Sequence, residues 1–218
     1  MELEKSFYKY LAQTTRTPML LEFSKANGIY LYDDRNGKYL DFISGIAVAN
    51  IGHSHPKVIS AVKEQVDKHM HLMVYGEYIQ NTQVKYAESI TNELAAELQS
   101  VYWVNSGTEA TEGAFKLSRR VTGRSEIISF KGSYHGSTIG ALSAMGNEKY
   151  KRAFRPLVPN HRQLKFNDIE SLNEISSKTA AVIVECVQAG TGYKKADKVF
   201  LEELSLKCSK VGAMLIVD

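Results

Sequence analysis

Three short stretches combine residue types that can do chemistry. The first is Asn105-Ser106-Gly107-Thr108-Glu109-Ala110, where an apolar run hands over to a helical pattern. Backbone N–H groups at a helix start have no intrahelical partner and carry partial positive charge. Gly107 permits close approach, and Ser106 and Thr108 add hydroxyls. This is good chemistry for a phosphate. The same residues also match the S-x-x-E capping box, Ser106 with Glu109, which needs no ligand. Both readings stand at this point. The stretch is not a P-loop, since no G-x-x-x-x-G-K-S/T occurs, and its glycines do not fit G-x-G-x-x-G.

The second stretch is Gly132-Ser133-Tyr134-His135-Gly136-Ser137-Thr138, just after the apolar run ending at Phe130. An aromatic and an imidazole between glycines, at the carboxyl end of a parallel strand, lie where open α/β sheets bind ligands. Tyr134 can stack on a planar ring; the plainer alternative is a glycine-rich turn with a surface aromatic. The third feature is a pair of acids at strand ends, Glu185 after AAVIV and Asp218 after AMLIV. A half-desolvated carboxylate at the rim of a sheet calls for a cationic partner or a metal. Helix N-capping is the simpler alternative. His53-Ser54-His55 and His69-Met70-His71 invite a metal reading, but no acidic or Cys cluster joins them, and zinc needs three or four ligands. No metal site is assigned. Cys186 and Cys208 read as packing residues.

The elements that must position these residues are legible in outline. Gly28 to Asp33 and Lys38 to Phe42 flank Asn36-Gly37, a strong hairpin signal. Pro56 opens a helical stretch with Val58, Ile59, Val62 and Val66 at helix spacing. A second helix is expected from about Thr82 to Leu98. Val101 to Val104 is a strand candidate. Ala110, Ala114, Leu117 and Val121 then trace one helix face. Ile127 to Phe130, Ala180 to Val184 and Ala213 to Val217 are further strands, with a helix near Lys198 to Lys210. Continuously apolar strands separated by helices indicate an α/β fold with a mainly parallel sheet, covered on both faces. The hairpin-bearing start is then a smaller appendage.

Composition narrows the function classes. The 218 residues carry 27 Lys plus Arg against 24 Asp plus Glu, a net charge of +3. That excess is too small to argue for nucleic acid or an acidic membrane surface. No apolar run approaches the ~20 residues of a membrane span, and the first residues contain no signal core. Two cysteines cannot staple a fold of this size; they read as reduced thiols in a cytoplasmic compartment.

Taken together and in order, the motifs resemble the N-terminal part of a class III (ω-) aminotransferase, the family of acetylornithine, ornithine and 4-aminobutyrate aminotransferases. They are GIYLYDDRNGKYLDFISGIAV, GHSHP (52–56), VNSGTEATEGAFKLSR (104–119), FKGSYHGST (130–138), VECVQAGTG (184–192) and LIVD (215–218). Six motifs in the right order and spacing are specific where one is not.

The resemblance implies a fold-type I transferase that uses pyridoxal 5′-phosphate, with residues 1–50 a small-domain segment and 51–218 the first part of the cofactor-binding large domain. It implies that Ser106, Gly107 and Thr108 hold the cofactor phosphate, that Tyr134 stacks on the ring beside His135, that Asp218 pairs with the ring nitrogen, and that Glu185 sits behind that acid. It implies a homodimer, with Tyr75 and Tyr78 near the interface, acting on a small amino donor and a 2-oxo acid. The family's covalent lysine lies downstream of the strand ending in this Asp, so the chain reads as a portion of a longer enzyme, inactive alone. A truncated, non-catalytic module that binds cofactor or a partner chain is the competing reading. Ser137 stands where many relatives have Arg, and Gly190 where many have Glu, which leaves the amino donor open.

Overall fold

A computed structural model describes residues 2–218. The chain divides into two compact units, one ending at Ile90 and one running Thr91–Asp218. No helix among the described residues is long and apolar enough to cross a membrane.

The first unit begins with α1 (Glu2–Tyr10) and an antiparallel sheet of β1 (Lys25–Asn27), β2 (Tyr30–Tyr32) and β3 (Lys38–Leu40). The hairpin is present, with Leu31 opposite Tyr39. Its connection is longer than a two-residue Asn-Gly turn, because Asp33 organises it. The Asp33 carboxylate accepts from the N–H of Gly37 at 2.6 Å and of Arg35 at 2.9 Å, and Asn36 adopts a φ of 63°. An irregular turn, α2 (Ser44–Ala47), follows, then α3 (Pro56–Lys68) and α4 (Asn81–Asn92). Pro56 opens α3 at a position whose N–H needs no partner. The apolar residues of α3 pattern as a helix, yet none is buried.

In the second unit four parallel strands form one sheet in the order β5 (His161–Leu164), β4 (Glu126–Phe130), β6 (Thr179–Val184), β9 (Met214–Val217). A separate short ribbon pairs β7 (Val187–Gln188) with β8 (Lys194–Lys195). The helices are α5 (Gly107–Thr122), α6 (Ile139–Ala144), α7 (Glu148–Lys151) and α8 (Lys198–Val211). Alternation along the strands sorts the core into two layers. Ile128, Phe130, Val182 and Val184 share one layer with Phe200, Leu204 and Cys208 of α8. Ile127, Ala181 and Ile183 share the other with Phe115 of α5 and Ala144 of α6.

The structure departs from the sequence pattern at three places. Val101 to Val104 forms no strand and joins none of the described sheets. The face of α5 against the sheet is Thr111, Phe115 and Ser118, whereas Leu117 and Val121 are exposed. One large aromatic at helix spacing decides the rotation, not the row of smaller apolar residues. Cys208 is buried, and burial pushes its thiol up to about 11, but Cys186 is exposed and is not part of the core.

Candidate active site at the carboxyl edge of the sheet

The chain leaves β4 toward β5 on one side, and leaves β6 toward β9 on the other. Strand order therefore reverses between β4 and β6. The crevice outside the carboxyl ends of such strands is where open α/β sheets place ligands. The loop after β4 carries Tyr134 and His135, the end of β6 leads into Glu185, and β9 leads into Asp218.

The start of α5 faces the same loop. Ser106 has extended backbone, and its Oγ accepts from the N–H of Glu109 at 3.3 Å. Glu109 reaches back to the N–H of Asn105 at 2.6 Å. The capping box is thus real, shifted by one residue on its return bond. It satisfies the third N–H of the helix and leaves those of Gly107 and Thr108 with no carbonyl partner inside the helix. A Cβ added at Gly107 would meet no atom within 4 Å, so the helix mouth is open.

Side chains of the first two turns of α5 stitch it to the loop. Thr108 Oγ1 lies 2.6 Å from Thr138 Oγ1, and Thr111 Oγ1 donates to the carbonyl of His135 at 3.0 Å. Glu112 Oε1 accepts from Thr138 Oγ1 at 2.6 Å and from the N–H groups of Gly140 and Ala141. Gly136 is pressed against Thr108: an added Cβ would sit 2.9 Å from the Thr108 Cα, and its φ of 123° already excludes most side chains.

The two acids and the imidazole interlock. His135 Nδ1 lies 2.7 Å from Asp218 Oδ2. A carboxylate only accepts, so Nδ1 donates. The His135 side chain is fully buried, and its Nε2 has no partner. Asp218 is held from the other side by its own N–H, which donates to the carbonyl of Val184 at 2.9 Å and extends the ladder. Glu185 is buried, and its Oε2 accepts from the N–H of Tyr134 at 3.0 Å, tying the ends of β4 and β6 together. Burial pushes the Glu185 carboxyl above the usual carboxylate range; the Tyr134 N–H opposes this. The Tyr134 ring is half exposed, and its hydroxyl meets Ser137 Oγ at 3.0 Å.

The structure thus brings Tyr134, His135, Glu185 and Asp218 together by direct hydrogen bonds, and Thr108 joins the same loop through Thr138. His135 faces the acid rather than the open crevice. Thr111 and Glu112 were not singled out from the sequence. Their signal was present only as spacing: Glu112 stands one helical turn beyond Thr108. His53 takes a structural role, with Nε2 at 2.7 Å from Asp41 Oδ2 and its backbone bridged to Gly28.

The raised Glu185 carboxyl has a sign that can be checked. Its protonated form is favoured in the folded protein, so this contribution to stability is present below the ordinary carboxylate range. It is lost as pH rises through the raised value. Glu185→Gln keeps an acceptor for Tyr134 and cannot ionise. Urea unfolding of the cofactor-free protein is expected to show matching stabilities at about pH 4 and a more stable variant at about pH 8. Equal stabilities at both pH values would remove the desolvation argument.

Comparison with known proteins bears on the family and the fold. The family described as Aminotransferase class-III matches residues 11–218. A Pyrococcus horikoshii protein, provisionally named as a LysW-aminoadipate semialdehyde/glutamate semialdehyde transaminase, is 43% identical over 201 residues, covering 91% of this chain and 53% of its own length. The acetylornithine aminotransferase of Bacillus anthracis is 41% identical over 199 residues, covering 91% and 50%. Among solved structures, the adenosylmethionine-8-amino-7-oxononanoate aminotransferase of Methanocaldococcus jannaschii superimposes with a TM-score of 0.91 at 27% identity, covering 100% of this chain and 54% of its own. The chain spans about half the length of the curated relatives it matches. Its sequence and its fold lead to one conclusion: the chain belongs to the class III aminotransferases.

Proposed function

We propose that the whole protein transfers an amino group between an amino acid or ω-amine and a 2-oxo acid, with pyridoxal 5′-phosphate as cofactor. Membership of the family implies the cofactor. The observation that carries the reading is the placing of an open helix start, a half-exposed aromatic and a braced carboxylate around one loop.

Each group of the cofactor finds a fitting residue. The helix mouth at Ser106, Gly107 and Thr108 offers unspent N–H groups to a phosphate. The Tyr134 ring offers a face to a flat heterocycle. Asp218 would hold a proton on the ring nitrogen; His135 orients its carboxylate, and the Val184 carbonyl fixes its backbone. Glu185 fixes the backbone of Tyr134 from behind. When bound, the cofactor supplies an electron sink, which requires the ring nitrogen to stay protonated.

Finer parts of the proposal concern boundaries, assembly and location. Residues 1–50 form a small-domain segment, and 51–218 the first part of the large domain. The protein is a homodimer; the exposed Tyr75 and Tyr78 support this, since aromatics are enriched at interfaces. Two free cysteines fit a cytoplasmic setting. The relatives' names differ in substrate, and Gly190 lies close to the loop, a Cβ there meeting the Gly132 carbonyl at 3.3 Å. The donor is therefore left at the level of class.

The test is direct. The whole protein, supplied with pyridoxal 5′-phosphate, an ω-amine or amino acid panel and 2-oxoglutarate, is expected to form glutamate. Absence of transfer from every donor, with cofactor bound, would overturn the reading.

A further inference from the structure

The hydrogen bonds at the start of α5 have a direction that can be worked out. Glu112 Oε1 accepts from Thr138 Oγ1 at 2.6 Å, from the Gly140 N–H at 2.9 Å and from the Ala141 N–H at 3.1 Å. A carboxylate has no proton to give, so the single hydroxyl proton of Thr138 points at Glu112. Thr138 Oγ1 is also 2.6 Å from Thr108 Oγ1. One of the two must donate, and Thr138 has already used its proton. Thr108 is therefore the donor. The Thr138 N–H in turn donates to Thr108 Oγ1 at 3.2 Å. The relay runs Thr108 to Thr138 to Glu112, and the Thr108 proton is committed inward.

We propose that Glu112 is a positioning residue for the phosphate site: it orients the Thr108–Thr138 relay and clamps residues 138–141 to the first turns of α5. The phosphate is then met by the N–H groups of Gly107 and Thr108 and by the hydroxyl of Ser106, and not by the hydroxyl proton of Thr108. This inference rests on the reading of the α5 start as the phosphate site. Turning the Thr108 proton outward would leave two hydroxyl oxygens 2.6 Å apart with no proton between them. Glu112 thereby keeps the side chain fixed while the helix mouth stays free for an anion. A carboxylate one turn below an anion site is electrostatically unfavourable there. Its role must therefore come from the three bonds it accepts rather than from its charge.

The experiment compares pyridoxal 5′-phosphate with pyridoxal, which lacks the phosphate, as ligands of the whole cofactor-free protein. The ratio of the two dissociation constants isolates the phosphate contribution. General damage to the fold lowers both affinities together and leaves the ratio alone. Glu112→Ala is expected to cut the phosphate advantage by about tenfold, the effect of losing the hydrogen bonds that hold residues 138–141. Glu112→Gln keeps an oxygen that accepts the same three bonds and is expected to restore the ratio to within about twofold. Thr138→Val leaves Glu112 on the backbone N–H groups but breaks the relay, and is expected to lower the ratio even if Glu112→Ala does not fold. An unchanged ratio in Thr138→Val or Glu112→Ala, or a Glu112→Gln ratio as low as that of Glu112→Ala, overturns the inference.

Gly107→Asp separates this outcome from failure of the site itself. The added Cβ meets nothing within 4 Å. The new carboxylate suits a helix start and repels a phosphate. If Gly107→Asp leaves the ratio unchanged, the phosphate does not bind at α5 and both readings fall. If it collapses the ratio while Glu112→Ala does not, the inference about Glu112 falls alone.

Discussion

Asp218→Asn in the whole protein is expected to leave the cofactor bound and to slow amino transfer by about two to three orders of magnitude, the size of effect seen when one preorganised electrostatic contact is lost. The variant preserves the geometry. Its amide oxygen can still accept from His135 Nδ1, now 2.7 Å from the carboxylate, and its backbone N–H still donates to Val184. What it loses is charge. A neutral amide cannot hold a proton on a ring nitrogen, and the cofactor then no longer accepts electrons effectively. Binding survives because the α5 start and Tyr134 are untouched. Asp218→Glu keeps the charge but displaces it by one methylene, so a smaller loss is expected. Single-turnover measurement of amino transfer, with bound cofactor quantified in the same sample, is decisive. A near-normal rate would make Asp218 a structural acid.

The largest effect on stability is expected at Phe200. This ring is buried and packs edge-on against Phe130 at 5.3 Å and Phe166 at 5.7 Å between ring centres. Three aromatics in such contact fill one layer of the sheet, and removing the central one leaves a cavity that the neighbours cannot close. Phe200→Ala is expected to cost about 3–5 kcal/mol in urea unfolding. Leu206→Ala on the same helix serves as the control, since Leu206 is 65% exposed; its cost is expected within about 0.5 kcal/mol. Matching losses at both sites would mean that α8 is not seated on this core. The link to function is direct. Phe130 is the last residue of β4, so packing under it sets where the loop with Tyr134 and His135 begins.

The sequence by itself determined the elements whose signals are local. Ser106 and Glu109 announce the start of α5, and a left-handed Gly123 ends it. Ala180 to Val184 is apolar throughout because β6 is buried on both faces. Pro56 and Gly212 bound helices by the dihedral angles they fix or permit. Motif order carried the family, and with it the candidate residues Ser106, Gly107, Thr108, Tyr134, Glu185 and Asp218.

Tertiary structure decided what depends on partners distant in the chain. β5 is half-buried and polar, His-Arg-Gln-Leu, and becomes a strand only by pairing with β4. Val101 to Val104 has strand-like composition yet belongs to none of the described sheets. The rotation of α5 follows the Phe115 ring, because burying one aromatic outweighs leaving Leu117 and Val121 exposed. His135 could have faced a ligand, but the 83 residues separating it from Asp218 are closed by the sheet, and the acid claims its Nδ1. Glu112 was silent for the same reason. A glutamate in a helix reads as solvent-facing until folding brings Thr138, Gly140 and Ala141 against it. Its carboxylate then accepts from the Thr138 hydroxyl and from the N–H groups of Gly140 and Ala141.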